Sequence, residues 1–168
     1  MEVFEAVKTI LAVRSYQAKP VPPDVIQRIV EAGHQTGSSM NLQPWHFIVV
    51  EDRQTLRKLG GLATHGPYTA QAAMAVVVAI EDTRFSISDA SRAIQSMILT
   101  AWSEGVGSNW VGFIGLSEVN PLLGIPDDLG VLAILSFGYP TQDIGKGKKQ
   151  RKSLSEVAHL GRFGQPFE

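Results

Sequence analysis

The chain has no cysteine among its 168 residues. That excludes disulfides, thiol catalysis and a cysteine-based zinc site, and it suits a reducing, cytoplasmic compartment. An excess of either charge is also missing: 15 Lys and Arg against 16 Asp and Glu leave a net charge of −1. No overall field then draws the protein to nucleic acid or to an anionic membrane. Long apolar runs are absent too. The longest, 72–80, is about half of the roughly 20 residues a membrane span needs. Met1 to Glu5 holds no basic stretch leading into an apolar run, so no secretory leader is expected. The histidines His34, His46, His65 and His159 are scattered, without the spacing of a metal site. There is no Walker or dinucleotide-binding glycine fingerprint and no internal repeat.

What is present is core material. Hydrophobic residues make up 44% of the chain, enough for one well-packed domain. Residues 2–11 place Val3, Phe4, Val7, Ile10 and Leu11 on one helical face. A second helix is expected from Pro23, with Val25, Ile26, Ile29 and Val30 inward and Asp24 in its first turn. Trp45 to Val50 reads as a buried strand. A polar helix over 52–60, stopped by Gly60-Gly61, follows it, and then a central strand within 72–80 buried on both faces. The longest helix is expected from about Asp89 to Glu104, capped by Ser88 and ended by Gly105 or Gly107. Ser108 to Gly115 reads as a strand opening into a glycine-rich bend. Ser117 then caps a short helix that Gly124 ends, and Gly130 to Pro140 forms another core strand closed by a turn. Four strands interleaved with helices predict an α+β, layered fold, with a central sheet flanked by helices on both faces. These patterns do not give the strand order.

The stretch richest in chemistry is Gly37-Ser38-Ser39-Met40-Asn41-Leu42-Gln43-Pro44-Trp45-His46-Phe47. Its first half is small and polar, the composition of a tight turn that bonds its own backbone. Such a loop also exposes main-chain N–H groups, hydroxyls and an amide, which can hold a polar ring or an anion. Pro44 sends the chain into the core strand, so the polar groups sit at its mouth. Near the other end, 145–152 carries Lys146, Lys148, Lys149, Arg151 and Lys152, a solvated cationic loop or an anion site. Leu154, Val157, Leu160, Phe163 and Phe167 beyond it are too apolar for a free tail.

Ser38-Ser39-x-Asn41-x-Gln43-Pro44-Trp45-x-Phe47 closely resembles the flavin-binding signature of the nitroreductase family, with Gly37 where the family usually has proline. The likeness continues through most of the chain. It includes Lys19-Pro20-Val21-Pro22, the helix from Asp89-Ala90, Trp110-Val111-Gly112, Leu123-Gly124-Ile125-Pro126 and Phe137-Gly138-Tyr139-Pro140. It ends with Arg151-Lys152-Ser153-Leu154-Ser155-Glu156-Val157. The resemblance implies a nitroreductase-like mixed β-sheet flanked by helices in one domain, 1–168. It also implies a homodimer in which residues from about 141 onward embrace the partner, with FMN at the interface and NAD(P)H as donor.

The residues it implies for FMN are Arg14 at the ring edge near N1 and O2, and Ser38, Ser39, Met40 and Asn41 at the ribityl chain and ring. Val111 and Gly112, with Phe113, would pass near N5, where glycine allows close approach. Lys149 and Arg151 would take the phosphate. No catalytic side chain is expected, because the flavin carries the chemistry with Arg14 assisting. One departure stands out. Aligned through Tyr16 and Lys19-Pro20-Val21, the family's basic run falls on Ile10, Leu11 and Ala12, and only Arg14 remains. A charge-assisted contact of that kind contributes roughly 1.5–3 kcal/mol. The expected activity is ping-pong hydride transfer to a nitroaromatic, a quinone or a similar acceptor. The alternative is a protein of this fold with weakened FMN binding that holds flavin or another ligand without turnover.

Overall fold

In the computed structural model, residues 1–112, 116–142 and 149–167 are described. Phe113, Ile114, Gly115, Lys146 and Lys148, to which the sequence reading gave roles, lie outside them. The elements in chain order are α1 (Val3–Thr9), α2 (Pro23–His34), β1 (Trp45–Val50), α3 (Arg53–Leu62), β2 (Met74–Ile80), α4 (Ser86–Ser103), β3 (Gly107–Gly112), α5 (Val119–Leu123), β4 (Gly130–Gly138) and α6 (Leu154–Val157). Short 3₁₀ turns lie at Ser39–Asn41 and Pro67–Gln71.

The strands form one sheet in the order β1-β2-β4-β3. A mixed sheet was expected, but its ladders are antiparallel throughout. The parallel component among the described residues is one bridge, Ala12 to Ser108. The reason is visible between β1 and β2. Helix α3 doubles back on the turn Pro67–Gln71, so the chain re-enters the sheet at the end it left, with Val50 paired to Ala75.

Strand β2 shows why both faces are covered. Met74, Val76 and Val78 pack with Leu135 and Phe137 of β4 against Ile29 of α2 and Ile94 and Met97 of α4. The alternate residues Ala75, Val77 and Ala79 pack with Ile134 against Leu56 and Leu59 of α3 and Val119 of α5. Alternation of side chains across a pleated strand produces the three layers from one apolar run.

Several boundaries differ from expectation for local reasons. Gly60-Gly61 does not stop α3, which runs on to Leu62 behind its N-cap Asp52. A Cβ on Gly60 would lie 2.7 Å from the Ala70 nitrogen, so this glycine serves close packing against the following turn. Helix α4 begins at Ser86, a turn before Asp89, and Ser88 lies inside it with Oγ donating to the Phe85 carbonyl. Glu118, not Ser117, precedes α5, without a side-chain cap. Helix α1 ends at Thr9, so Ile10 and Leu11 leave the helical stripe. Its face is bare in the single chain: Val3 and Phe4 are each 74% exposed, and only Ala6 is buried. Leu154, Val157, Leu160 and Phe163 of the C-terminal segment are likewise exposed.

The two glycines of α3 give opposite predictions. Gly60→Ala forces a methyl against Ala70 backbone and should destabilise by about 1–3 kcal/mol. Gly61→Ala meets nothing within 4 Å and should be neutral or stabilising by up to about 1 kcal/mol through helix propensity. Urea unfolding midpoints of the two variants check both signs.

Candidate functional site

After α1 the chain extends as a strap across the β3 edge of the sheet. The Val13 N–H donates to the Ser108 carbonyl at 2.8 Å, and the Tyr16 hydroxyl donates back to the Val13 carbonyl at 2.7 Å. Gly107 makes this docking possible, because a Cβ there would sit 2.3 Å from a Val13 methyl. Tyr16 packs in the same way over Gly138. Burial, then the neighbouring Tyr68, pushes its phenol well above the ordinary tyrosine range, so it stays a neutral donor. Arg14, between these two anchored residues, is exposed.

The strap and the sheet edge bound a groove of about 430 Å³. Its walls are Ile10, Leu11 and Ala12 from the strap, Gln95 and Ile98 from α4, Ser108 to Trp110 from β3, and Lys149 and Arg151. The two cations come from far along the chain. The Lys149 Nζ donates to the Val7 carbonyl at 2.6 Å, which ties the C-terminal segment to α1. Partial desolvation, then the charge of Arg151, lowers the Lys149 ammonium below the usual lysine range. An anion beside them would offset the repulsion between the two cations. On this edge Ser108 turns its carbonyl away from β4 toward Val13. Backbone alternation along a strand directs the main-chain groups of Trp110 and Gly112 the same way. Gly112 has a second reason to be glycine, since a Cβ would lie 2.5 Å from the Trp110 indole nitrogen. The Val111 side chain is buried in the core on the α3 and α5 side.

The serine loop is a separate construction. The Ser38 Oγ accepts from the Gln43 N–H at 2.8 Å, and the Ser38 carbonyl accepts from the Asn41 N–H at 3.1 Å. Ser39 is held by Asp89: its N–H donates to Oδ2 at 3.0 Å and its Oγ to Oδ1 at 2.9 Å. Arg92 pairs with the same carboxylate. Burial works against the charged form of Asp89. The bonds from Ser39 and Arg92 together outweigh it and hold the carboxyl below the usual carboxylate range. Met40, Asn41 and Gln43 all adopt positive φ, at 55°, 56° and 51°. Met40 is 83% exposed.

The structure therefore brings Lys149 and Arg151 together with the strap and the β3 edge. Ser38, Ser39, Met40 and Asn41 do not line that groove within one chain, and neither does Arg14. Gln95, a polar interruption of α4 in the sequence, lines it; its neighbour Ser96 is engaged instead with Thr36 at 2.8 Å. Asp89 was missed as more than a helix-start residue. The signal was present: Asp89 lies one turn before Ala93 on the buried stripe of α4, where a carboxylate must find partners.

The fold is an α+β sandwich with a groove at its sheet edge lined by two cations, the layout of a domain that can hold a small anionic ligand. The comparisons narrow it. Residues 11–81 and 64–139 match the nitroreductase family model. A protein provisionally named NADH dehydrogenase/NAD(P)H nitroreductase in Methanothermobacter thermautotrophicus is 32% identical over 154 residues, covering 86% of this chain and 81% of that protein. The NADPH-flavin oxidoreductase of Vibrio harveyi is 28% identical over 179 residues, covering 94% of this chain and 74% of that protein. Among solved structures, the FMN-dependent nitroreductase of Clostridium difficile superposes with a TM-score of 0.85 at 25% identity, over 95% of this chain and 99% of that one. The chain belongs to the nitroreductase family and is an oxidoreductase.

The lowered Asp89 carboxyl predicts a pH dependence of stability. A carboxylate whose folded value lies below its unfolded one contributes above the unfolded value, about 3.9, and loses that contribution as pH falls through the folded value. Melting midpoints followed from about pH 6 down to about pH 3 should therefore fall less steeply in Asp89→Asn than in the parent.

Proposed function

We propose that this protein is an FMN-dependent oxidoreductase that draws hydride from NAD(P)H and delivers it to a nitroaromatic, a quinone or a similar electron-poor acceptor. The observation that carries the proposal is the groove, where two cations stand beside an open strand edge and an apolar strap. That lining fits FMN: Lys149 and Arg151 suit its phosphate, and the strand edge beside them suits the polar edge of its ring. The likeness to the FMN-dependent nitroreductase of Clostridium difficile supports this cofactor, and the likeness to the NADPH-flavin oxidoreductase of Vibrio harveyi supports a flavin.

When bound, FMN would accept hydride at N5 from the nicotinamide and release it to the acceptor in a second half-reaction, giving ping-pong kinetics. The chain's own residues would bind, orient and shield. Arg14 would place a positive charge where negative charge develops at the ring edge. Lys149 and Arg151 would anchor the phosphate end. Ser38, Ser39, Met40 and Asn41 would close over the ring and ribityl chain from a second copy of the protein. That division accounts for their absence from the groove of their own chain. A homodimer would also cover the bare apolar faces of α1 and of the C-terminal segment.

Ile10, Leu11 and Ala12 favour a second reading, a flavin- or ligand-binding protein without turnover, because they put no charge in the groove. Steady-state kinetics separate the two. Protein reconstituted with FMN should oxidise NADH or NADPH with menadione as acceptor and give parallel double-reciprocal lines. Bound flavin with no such turnover selects the second reading, and failure to bind FMN at all overturns the first and leaves the second only with a ligand other than flavin. Replacing Lys149 and Arg151 together by alanine should weaken FMN binding by roughly tenfold to a few hundredfold, read by quenching of flavin fluorescence.

A further inference from the structure

Asp89 is the largest commitment of buried charge among the described residues, and the proposed chemistry does not use it. Its side chain is fully enclosed, at 0% exposure. Three donors converge on it: the Ser39 N–H, the Ser39 hydroxyl and the Arg92 guanidinium. Arg92 is half exposed, so it closes the carboxylate off from the solvent side, while Ser39 closes it from the loop side.

The loop needs such an anchor. Three L-residues within four positions lie in the left-handed region, two of them the long side chains Met40 and Gln43. For Met40 and Gln43 this backbone is strained, and strain of this kind persists only where surrounding contacts over-determine the conformation. Within the loop, the Gln43 N–H bond to the Ser38 hydroxyl oxygen, the Gln43 side-chain amide bond to the Asn41 carbonyl and two turn bonds hold the shape. The link from the loop to the rigid body of the fold runs through Ser39 to Asp89, on a helix buried against the sheet.

We propose that Asp89 is a positioning residue for the cofactor site: through its two bonds to Ser39 it locks the Ser38–Gln43 loop in the form that receives the flavin. It also sets the polarity of the site. The Ser39 hydroxyl has given its only proton to Asp89, so it faces a ligand as an acceptor. Ser39 therefore suits a donor such as a ribityl hydroxyl or a ring N–H, and not a phosphate oxygen. This inference rests on the FMN reading above, but the loop's dependence on Asp89 can be measured without any flavin.

The test uses the full-length protein and two readouts. In ligand-free protein, hydrogen exchange should show the Ser39 amide protected, and Asp89→Asn should speed its exchange at least tenfold, because the amide –NH₂ cannot replace the accepting oxygen. Arg92→Gln, which leaves both Ser39 bonds in place, should change this exchange much less. In the second readout, FMN titration, Asp89→Asn and Ser39→Ala should each weaken binding by about tenfold, the effect of losing a charge-assisted bond. The double variant should be little worse than either single one, since both break the same link. Ser39→Thr, which keeps the hydroxyl, should restore binding to within a few-fold.

A purely structural Asp89 would lower the melting point yet give additive losses and no rescue by threonine, and that result overturns the proposal. Unchanged exchange at Ser39 in Asp89→Asn overturns it as well. If Asp89→Asn fails to fold, the comparison of Ser39→Ala with Ser39→Thr decides: equal FMN affinity in the two refutes the role. If the parent protein binds no FMN, the flavin reading falls while the exchange result still settles whether Asp89 sets the loop.

Discussion

Everything at the groove depends on the fit of Val13 into the space left by Gly107. The strap has no helix or ladder of its own. It is held by the main-chain bond from Val13 to Ser108, by main-chain bonds of Ser15 and Gln17 with the chain just beyond β4, by the Tyr16 hydroxyl, and by side-chain contact where β3 and β4 each present a glycine. Gly107 and Gly138 stand opposite one another in the β3–β4 ladder, so the two missing side chains form one trough across two strands. Val13 fills one part and Tyr16 the other. Close-packed interiors transmit small errors, so the positions of Ile10, Leu11, Ala12 and Arg14 are only as well defined as this contact.

The trough explains how a chain of this size builds a site at the edge of its sheet. A strand edge is normally a liability, since unpaired main-chain groups invite pairing with another chain. Here the strap bridges the edge at Ser108, and Trp110 lines the groove together with Lys149 and Arg151. Under the proposed function, edge groups of the kind that must be protected in an ordinary sheet would serve a planar ligand. The tie from Lys149 to the Val7 carbonyl brings the C-terminal cations to this point, because nothing in their own local sequence would place them there.

What could be read in advance follows the range of the interactions concerned. The apolar run of β2 declares a strand buried on both faces, and Pro23 with Asp24 declares the start of α2, because pattern and capping are local. The polar character of Ser38 to Asn41 was equally plain. Its attachment was not: Ser39 is fifty positions from Asp89, and only the folded α2–α4 packing brings them together. Gly60 failed as a local signal for the same reason. Its glycine answers a steric demand from Ala70, ten residues on, and not a turn of its own. The antiparallel course of the sheet was hidden in the doubling back of α3, which no periodicity records.

The replacement of the family's basic run by Ile10, Leu11 and Ala12 has two opposing effects on an anion in the groove. Removing a guanidinium loses a charge-assisted contact of roughly 1.5–3 kcal/mol. An apolar wall also excludes water, and the attraction of a remaining cation 4 Å away rises from about 1 kcal/mol in bulk water toward about 4 kcal/mol in a surface environment of effective dielectric near 20. The second change is of the same order as the first. It carries its own penalty, because a drier groove also desolvates Lys149, whose ammonium is already lowered. Under the proposed function, affinity would therefore not be set by counting cations around the groove. It would be set by how dry the strap keeps Lys149 and Arg151 once a ligand seals the open side, and so by the same Val13–Gly107 contact that holds the strap down.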